Sequence, residues 1–185
     1  MKVVTLDSNQ FSSTCRRLAA DVLSQSFKPE MLVGIRTGGE YVAREMLPSF
    51  PEATLAIVEL QRPSTAHKSM IGNLLPLLPV KLLDALRIVE SRLLSLLPSR
   101  PTPEVRLPAD VVAQLPRRIL VVDDAVDSGV TLSAIVNAIR TSRPDADVRS
   151  AVVTVTTSSP KINPDFALYR NHTLIRFPWS MDMKK

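Results

Sequence analysis

Between Arg118 and Thr131 the chain reads RILVVDDAVDSGVT. An apolar run of this length is too short for a helix and too uniformly apolar for a strand with one wet face, so it reads as a strand buried on both faces. Such strands belong to parallel sheets covered by helices, and other segments agree. Met31–Ile35 (MLVGI), Thr54–Leu60 and Val148–Val155 have the same apolar character, and Thr173–Phe177 makes a short last strand. Residues 8–26 carry Phe11, Cys15, Leu18, Ala19 and Val22 at spacings of three and four, with Ser8 or Asn9 available as the cap, and predict an amphipathic helix. Glu40–Met46 and Thr131–Arg140 predict two more, the latter with Leu132, Ile135, Val136 and Ile139 on one face. The expected fold class is α/β: a mainly parallel sheet flanked by helices, with ligands at the carboxyl ends of the strands.

A length of 185 residues suits a single domain spanning 1–185. Eight of the 15 prolines fall between Pro63 and Pro116, together with dense leucine. Residues 80–97 within that stretch leave only a narrow polar stripe through Lys81, Asp84, Arg87 and Glu90. The segment at about 63–116 therefore reads as a leucine- and proline-rich helical insertion, whose apolar helix has to be buried on its own domain, in a homodimer or on a partner. Its charges exclude a membrane span. One cysteine, Cys15, excludes an internal disulfide and a cysteine-rich zinc site. The opening MKVVTLDSNQ lacks the basic and apolar regions of a secretion signal, so a cytoplasmic location is expected. A net charge of +5 favours anionic ligands. With only eight aromatics (one Trp, two Tyr, five Phe), none interleaved with a basic run, a nucleic-acid stacking platform is not supported.

Glycine is scarce, five residues in all, and four of them (Gly34, Gly38, Gly39 and Gly129) lie in two short segments. One is the turn after the apolar run, where Asp123 and Asp124 end the strand and Asp127-Ser128-Gly129-Val130-Thr131 opens a helix. Backbone N–H groups at such an opening carry partial positive charge and can hold a phosphate. Gly129 permits close approach, and Ser128 and Thr131 add hydroxyl donors. The paired acids suit a sugar diol or Mg²⁺. Helix capping accounts for Asp127 or Ser128 but not for two further acids. Neither G-x-x-x-x-G-K-[ST] nor G-x-G-x-x-G occurs.

Apolar strand, two acids, two residues and Asp-Ser-Gly-x-Thr together resemble the signature of the type I phosphoribosyltransferases. The second glycine segment, Leu32-Val33-Gly34-Ile35-Arg36-Thr37-Gly38-Gly39, is similar to that family's pyrophosphate loop. The resemblance implies that Arg36, Thr37, Gly38 and Gly39 wrap the diphosphate, with an unusual peptide between Arg36 and Thr37. It also implies that Asp123 and Asp124 hold the ribose hydroxyls and the Mg²⁺ cofactor, that Ser128, Gly129, Val130 and Thr131 bind the 5-phosphate, and that Asp127 takes a proton from the incoming nitrogen. The tail, Lys161-Ile162-Asn163-Pro164-Asp165-Phe166 and then Phe177-Pro178-Trp179, is similar to that of bacterial and archaeal 6-oxopurine phosphoribosyltransferases. There a lysine contacts the 6-oxo group and an aromatic stacks on the base, roles that fall to Lys161 and Trp179. Two departures stand out: Thr157, Ser158 and Ser159 occupy the place of the family's lysine, and Ser180 follows Pro178-Trp179 where an acid is usual. Arg62, His67 and Lys68 are further candidate phosphate contacts.

The function implied is transfer of a 5-phosphoribosyl group from phosphoribosyl pyrophosphate to a nitrogen of a purine-like base, with release of pyrophosphate. Two alternatives stay open: a regulator that senses phosphoribosyl pyrophosphate without turning it over, and transfer to a non-purine acceptor.

Overall fold

The computed structural model describes residues 2–59, 105, 107–170 and 173–179. The expected helix at 80–97, together with Arg62, His67, Lys68 and Ser180, lies outside these residues.

Five strands form one parallel sheet: β2 (Met31–Ile35), β3 (Thr54–Val58), β4 (Arg118–Val126), β5 (Asp147–Val155) and β6 (Phe166–Tyr169), in the order β3-β2-β4-β5-β6. A separate two-stranded parallel sheet pairs β1 (Lys2–Thr5) with β7 (Thr173–Arg176). Alternation along the strands divides the core into two layers. Leu32, Leu120, Val122, Ala151 and Val153 face α1 (Ser8–Ser24) and α2 (Gly38–Met46), meeting Phe11, Leu18, Val22, Val42 and Met46. Val33, Ile119, Val121 and Val152 face the other way, onto α3 (Ala109–Gln114) and α4 (Val130–Ser142), meeting Val111, Leu132, Ile135 and Ile139. The runs Met31–Ile35 in β2 and Ile119–Val122 in β4 are apolar because both of their faces are covered. Truncating a fully buried side chain such as Leu18 or Leu120 to alanine costs about 2–5 kcal/mol.

Two expectations shift. The cap of α1 is Asp7, not Ser8 or Asn9: its side chain accepts from Gln10 N–H at 2.8 Å while the Gln10 side chain accepts from Asp7 N–H at 3.0 Å, a reciprocal capping box. The last part of the 63–116 segment belongs to the main body, because Val111 and Leu115 are buried in the α4-side core and Val105 and Leu107 pack against it. Cys15 is fully buried on α1, and burial, then the charge of Glu45, pushes its thiol up to about 12, which makes it a packing residue rather than a nucleophile. No described helix is long and apolar enough to cross a membrane.

The strand order places the site. From the adjacent pair β2 and β4 the sheet grows outward in opposite directions, to β3 on one side and to β5 and β6 on the other. At such a reversal the two strand-to-helix turns part and leave a crevice at the carboxyl edge, the usual ligand position in open α/β sheets. Here those turns are Arg36–Thr37, leading into α2, and Asp127–Gly129, leading into α4.

Candidate functional site

The β2–β4 ladder ends at Gly34 opposite Val122, whereas β4 stays paired with β5 as far as Val126 opposite Val155. Asp123 and Asp124 were expected at the end of the strand. The strand continues three residues past Val122 to Ala125 and then to Val126 because β5 still pairs with it, so the acids lie where β4 has lost only its β2 neighbour. The N-terminus of α2 fills that side. A Cβ on Gly39 would stand 2.8 Å from Asp123 Cα and 3.1 Å from its Oδ1, and a Cβ on Gly38 would run into the Asp124 carboxylate, 2.6 Å from Oδ1. Two consecutive glycines therefore let the first turn of α2 close directly onto the acid pair.

Asp123 is buried and Asp124 half-buried. Oδ1 of Asp123 accepts from Asp124 N–H at 2.9 Å, and Oδ1 of Asp124 accepts from Ala125 N–H at 3.0 Å. Burial first, then the Asp124 charge and a hydrogen bond between the two side chains, pushes Asp123 well above the usual carboxylate range; burial also pushes Asp124 up. Two crowded, desolvated acids of this kind resist carrying two charges until a cation or hydroxyl donors arrive. Among the described residues no group of three His, Cys, Asp or Glu could hold a metal by itself. Carboxylate oxygens from Asp123 and Asp124 nevertheless suit an oxygen-seeking ion such as Mg²⁺, shared with a ligand that supplies further oxygens.

The β2–α2 turn is only two residues long, since α2 starts at Gly38. The Arg36–Thr37 peptide is cis, at the position where the resemblance placed an unusual peptide. Arg36 N–H donates to Val58 O at 3.0 Å, which ties the turn to the end of β3. The Arg36 guanidinium, expected to meet an anion, lies against acids: Nε is 3.3 Å from Glu40 Oε2 and Nη1 is 3.6 Å from Glu59 Oε2. Glu40 also takes Arg44 through Nη2 at 2.9 Å, and that hydrogen bond, ahead of the Arg36 charge, lowers its carboxyl below the usual value. Thr37 is exposed and makes no side-chain cap.

In the second turn Gly129 adopts φ +74°, a left-handed conformation that favours glycine, and precedes α4 with no side-chain cap. The capping role weighed for Asp127 or Ser128 is absent: Ser128 Oγ receives Val130 N–H only at 3.5 Å, and both residues are exposed. The amides opening α4 are thus turned to no side-chain acceptor at close range, and Thr131 stands half-buried on the first helical turn. The segment after β5 is strapped across this turn. Thr156 N–H donates to Val126 O at 3.0 Å, Thr156 Oγ1–H donates to Asp127 Oδ1, and Lys161 N–H donates to Ser128 O at 2.8 Å. A Cβ on Gly129 would meet the Lys161 and Ile162 nitrogens at 3.1 Å.

Lys161 therefore sits at the β4–α4 turn, with its side chain exposed. Trp179 is engaged elsewhere. Its ring stacks on Phe177 at 4.8 Å, meets the edge of Phe11 at 4.9 Å and lies against Tyr41 at 4.7 Å, so its contacts run to α1 and α2. The structure joins Asp123, Asp124, Gly38 and Gly39 in one cluster and Asp127, Ser128, Gly129 and Lys161 in another; the ring contacts of Trp179 belong to neither.

A family model of the phosphoribosyl transferase domain matches residues 5–185. The chain belongs to the phosphoribosyltransferase family. No curated protein matches its sequence. Its fold is that of the type I phosphoribosyltransferases, and solved structures share it. A purine phosphoribosyltransferase from Pyrococcus horikoshii is 18% identical with a TM-score of 0.64, covering 97% of this chain and 95% of that one. A xanthine-guanine-hypoxanthine phosphoribosyltransferase from Helicobacter pylori is 20% identical with a TM-score of 0.63, covering 98% and 96%. A Neisseria gonorrhoeae hypothetical protein with bound ppGpp is 18% identical with a TM-score of 0.64, covering 98% and 92%.

Three residues that contact these turns escaped the sequence: Glu40, Glu59 and Thr156. Glu40 carried a signal, since Arg36, Glu40 and Arg44 follow one another at intervals of four on and before a helix. Glu59 and Thr156 carried none, because each reaches its partner only through strand pairing.

Proposed function

We propose that the protein transfers the 5-phosphoribosyl group of phosphoribosyl pyrophosphate to a nitrogen of a purine-like base. The C1–O bond to the diphosphate breaks with its electron pair leaving on oxygen, a C1–N bond forms, and the nitrogen loses its proton. One observation carries this reading: the β4 acids and the N-terminus of α2 are packed so closely that Gly38 and Gly39 admit no side chain, which leaves backbone amides and carboxylates on one crevice wall.

On this reading the amides and hydroxyls of Ser128–Thr131 hold the 5-phosphate, and Asp123 and Asp124 accept from the ribose hydroxyls. Arg36, Thr37, Gly38 and Gly39 take the diphosphate, whose negative charge grows as the bond breaks. Mg²⁺ held with Asp123 and Asp124 would neutralise part of that charge. Asp127, exposed at the mouth of the turn, receives the proton of the attacking nitrogen, and Lys161, whose backbone is held against the same turn, faces the acceptor. The cell interior is the setting that supplies this donor.

A second reading has a specific observation in its favour. Arg36 is already paired with Glu40 and Glu59, and Trp179 is already stacked on other rings, as suits a protein that binds phosphoribosyl pyrophosphate to regulate a partner. Measuring pyrophosphate release with a panel of purine and non-purine acceptors separates the two. Release with a purine supports transfer to that base, and release only with a non-purine moves the acceptor assignment. Tight binding of phosphoribosyl pyrophosphate with no release under any acceptor supports the regulator.

A further inference from the structure

The segment that follows β5 does more than connect two strands. Thr156 is the first residue beyond β5, half-buried, and its N–H is fixed to Val126 O at 3.0 Å, which extends the β4–β5 pairing by one bond beyond the last strand residues. With its backbone held there, its hydroxyl reaches across to Oδ1 of Asp127, 29 residues earlier in the chain. A threonine hydroxyl has one proton to donate. Val126 O lies 3.4 Å from Oγ1, at the long limit for such a bond, so the proton goes to the carboxylate. Farther along, Lys161 N–H holds Ser128 O at 2.8 Å, and Pro160, Lys161 and Ile162 close on the face of Gly129 where a side chain would stand. The Asp127 side chain is otherwise exposed on a turn, free to rotate about its χ angles.

We infer that Thr156 is a positioning residue: its hydroxyl fixes one oxygen of Asp127, so that the other is presented to the acceptor. The inference rests on the transfer reading of the same site and adds a residue to it. A base that takes a proton in the transition state has to be within hydrogen-bond reach in a fixed orientation. The strap supplies that orientation from the end of β5, a segment outside the turn itself.

The test compares Thr156→Val, which keeps the branched shape and removes the hydroxyl, with Thr156→Ser, which keeps the hydroxyl. Pyrophosphate release is followed with the best purine acceptor, and amide hydrogen exchange is followed at residues 127–130. For Thr156→Val we expect kcat to fall about tenfold or more while KM for phosphoribosyl pyrophosphate stays within about twofold. Thr156→Ser should stay within about threefold of the parent protein in kcat. The inference is overturned if Thr156→Val keeps full kcat, if Thr156→Ser falls as far as Thr156→Val, or if the loss appears in KM for phosphoribosyl pyrophosphate instead. Should the parent protein release no pyrophosphate with any acceptor, the transfer reading itself fails. The strap is then judged by exchange: faster exchange at 127–130 in Thr156→Val alone supports it, and unchanged exchange overturns it.

Discussion

The two turns at the carboxyl edge of the sheet both lead from a buried strand into a helix, and both use scarce glycines, but for different reasons. At the β2–α2 turn neither Gly38 nor Gly39 has a positive φ; they are needed for space, because the β4 acids occupy the room a Cβ would take. At the β4–α4 turn Gly129 is needed first for its conformation, φ +74°, and only then for the room taken by residues 160–162. The difference teaches that the glycines of the first turn are dictated by tertiary packing alone, and that of the second first by its own backbone conformation. Substitutions at the two turns should therefore fail in different ways.

The largest effect is expected from the acids that the first turn encloses. Replacing Asp123 and Asp124 together with Asn should lower turnover by at least about 100-fold, because the diol and cation contacts go together. Full activity in that variant removes the assignment of both residues. Next comes Gly39→Ala, whose methyl group would press on Asp123 Cα, a backbone atom held in the sheet. Overpacking of this kind costs about 1–3 kcal/mol, read as a lowered Tm. Gly38→Ala meets instead the Asp124 carboxylate, which can rotate away, so its cost should appear in activity more than in Tm. Equal Tm losses in the two variants would erase the distinction between backbone and side-chain contact. Gly129→Ala should cost about 1–2 kcal/mol from the left-handed conformation alone, a fall of about 2–8 °C in Tm for a chain of this length.

A smaller effect separates the acid pair from the rest of the molecule. Folding raises the carboxyls of Asp123 and Asp124, so above their unfolded value of about 3.8 the folded state holds more protons than the unfolded one. Stability contributed there is therefore present at low pH and lost as pH rises through the raised range. At neutral pH, without ligand, Asp123→Asn should be more stable than the parent protein, by about 1 kcal/mol or a few degrees in Tm. The Asn side chain still accepts from Asp124 N–H, and the repulsion is gone. A Tm that falls in Asp123→Asn, or a parent stability that rises with pH through this window, contradicts the assignment. The smallest stability change belongs to the β2–α2 turn: Arg36→Ala removes two surface ion pairs and should leave Tm almost unchanged. Its effect should fall on binding of phosphoribosyl pyrophosphate.

The parts of this arrangement that the sequence made legible are those whose signal is local. The apolar runs of β2, β4 and β5, the helical spacing of α1 and α4, and the acid pair followed by Asp-Ser-Gly-x-Thr each announce themselves within about a dozen residues. β1 and β6, each four residues long, do not: neither carries a buried run, and the partner of β1, β7, lies at the other end of the chain. The extension of β4 past its acids was hidden for a related reason, since pairing with β5 decides where it ends. Trp179 shows the converse. Its position after the last strand pointed to base stacking, but Phe11, Tyr41 and Phe177 converge on it from elements the tail alone does not reveal. Glu59 and Thr156 reach the turns for the same tertiary reasons.

The central claim is that the two turns, unlike in construction, hold one ligand. It is tested most directly by following backbone amide signals of the protein during titration with phosphoribosyl pyrophosphate and Mg²⁺. The account predicts that signals from residues 36–40 and from residues 127–131 shift together with a single Kd, and that inorganic phosphate alone moves chiefly the second group. Shifts confined to one turn, or two distinct Kd values for the two turns, would contradict it.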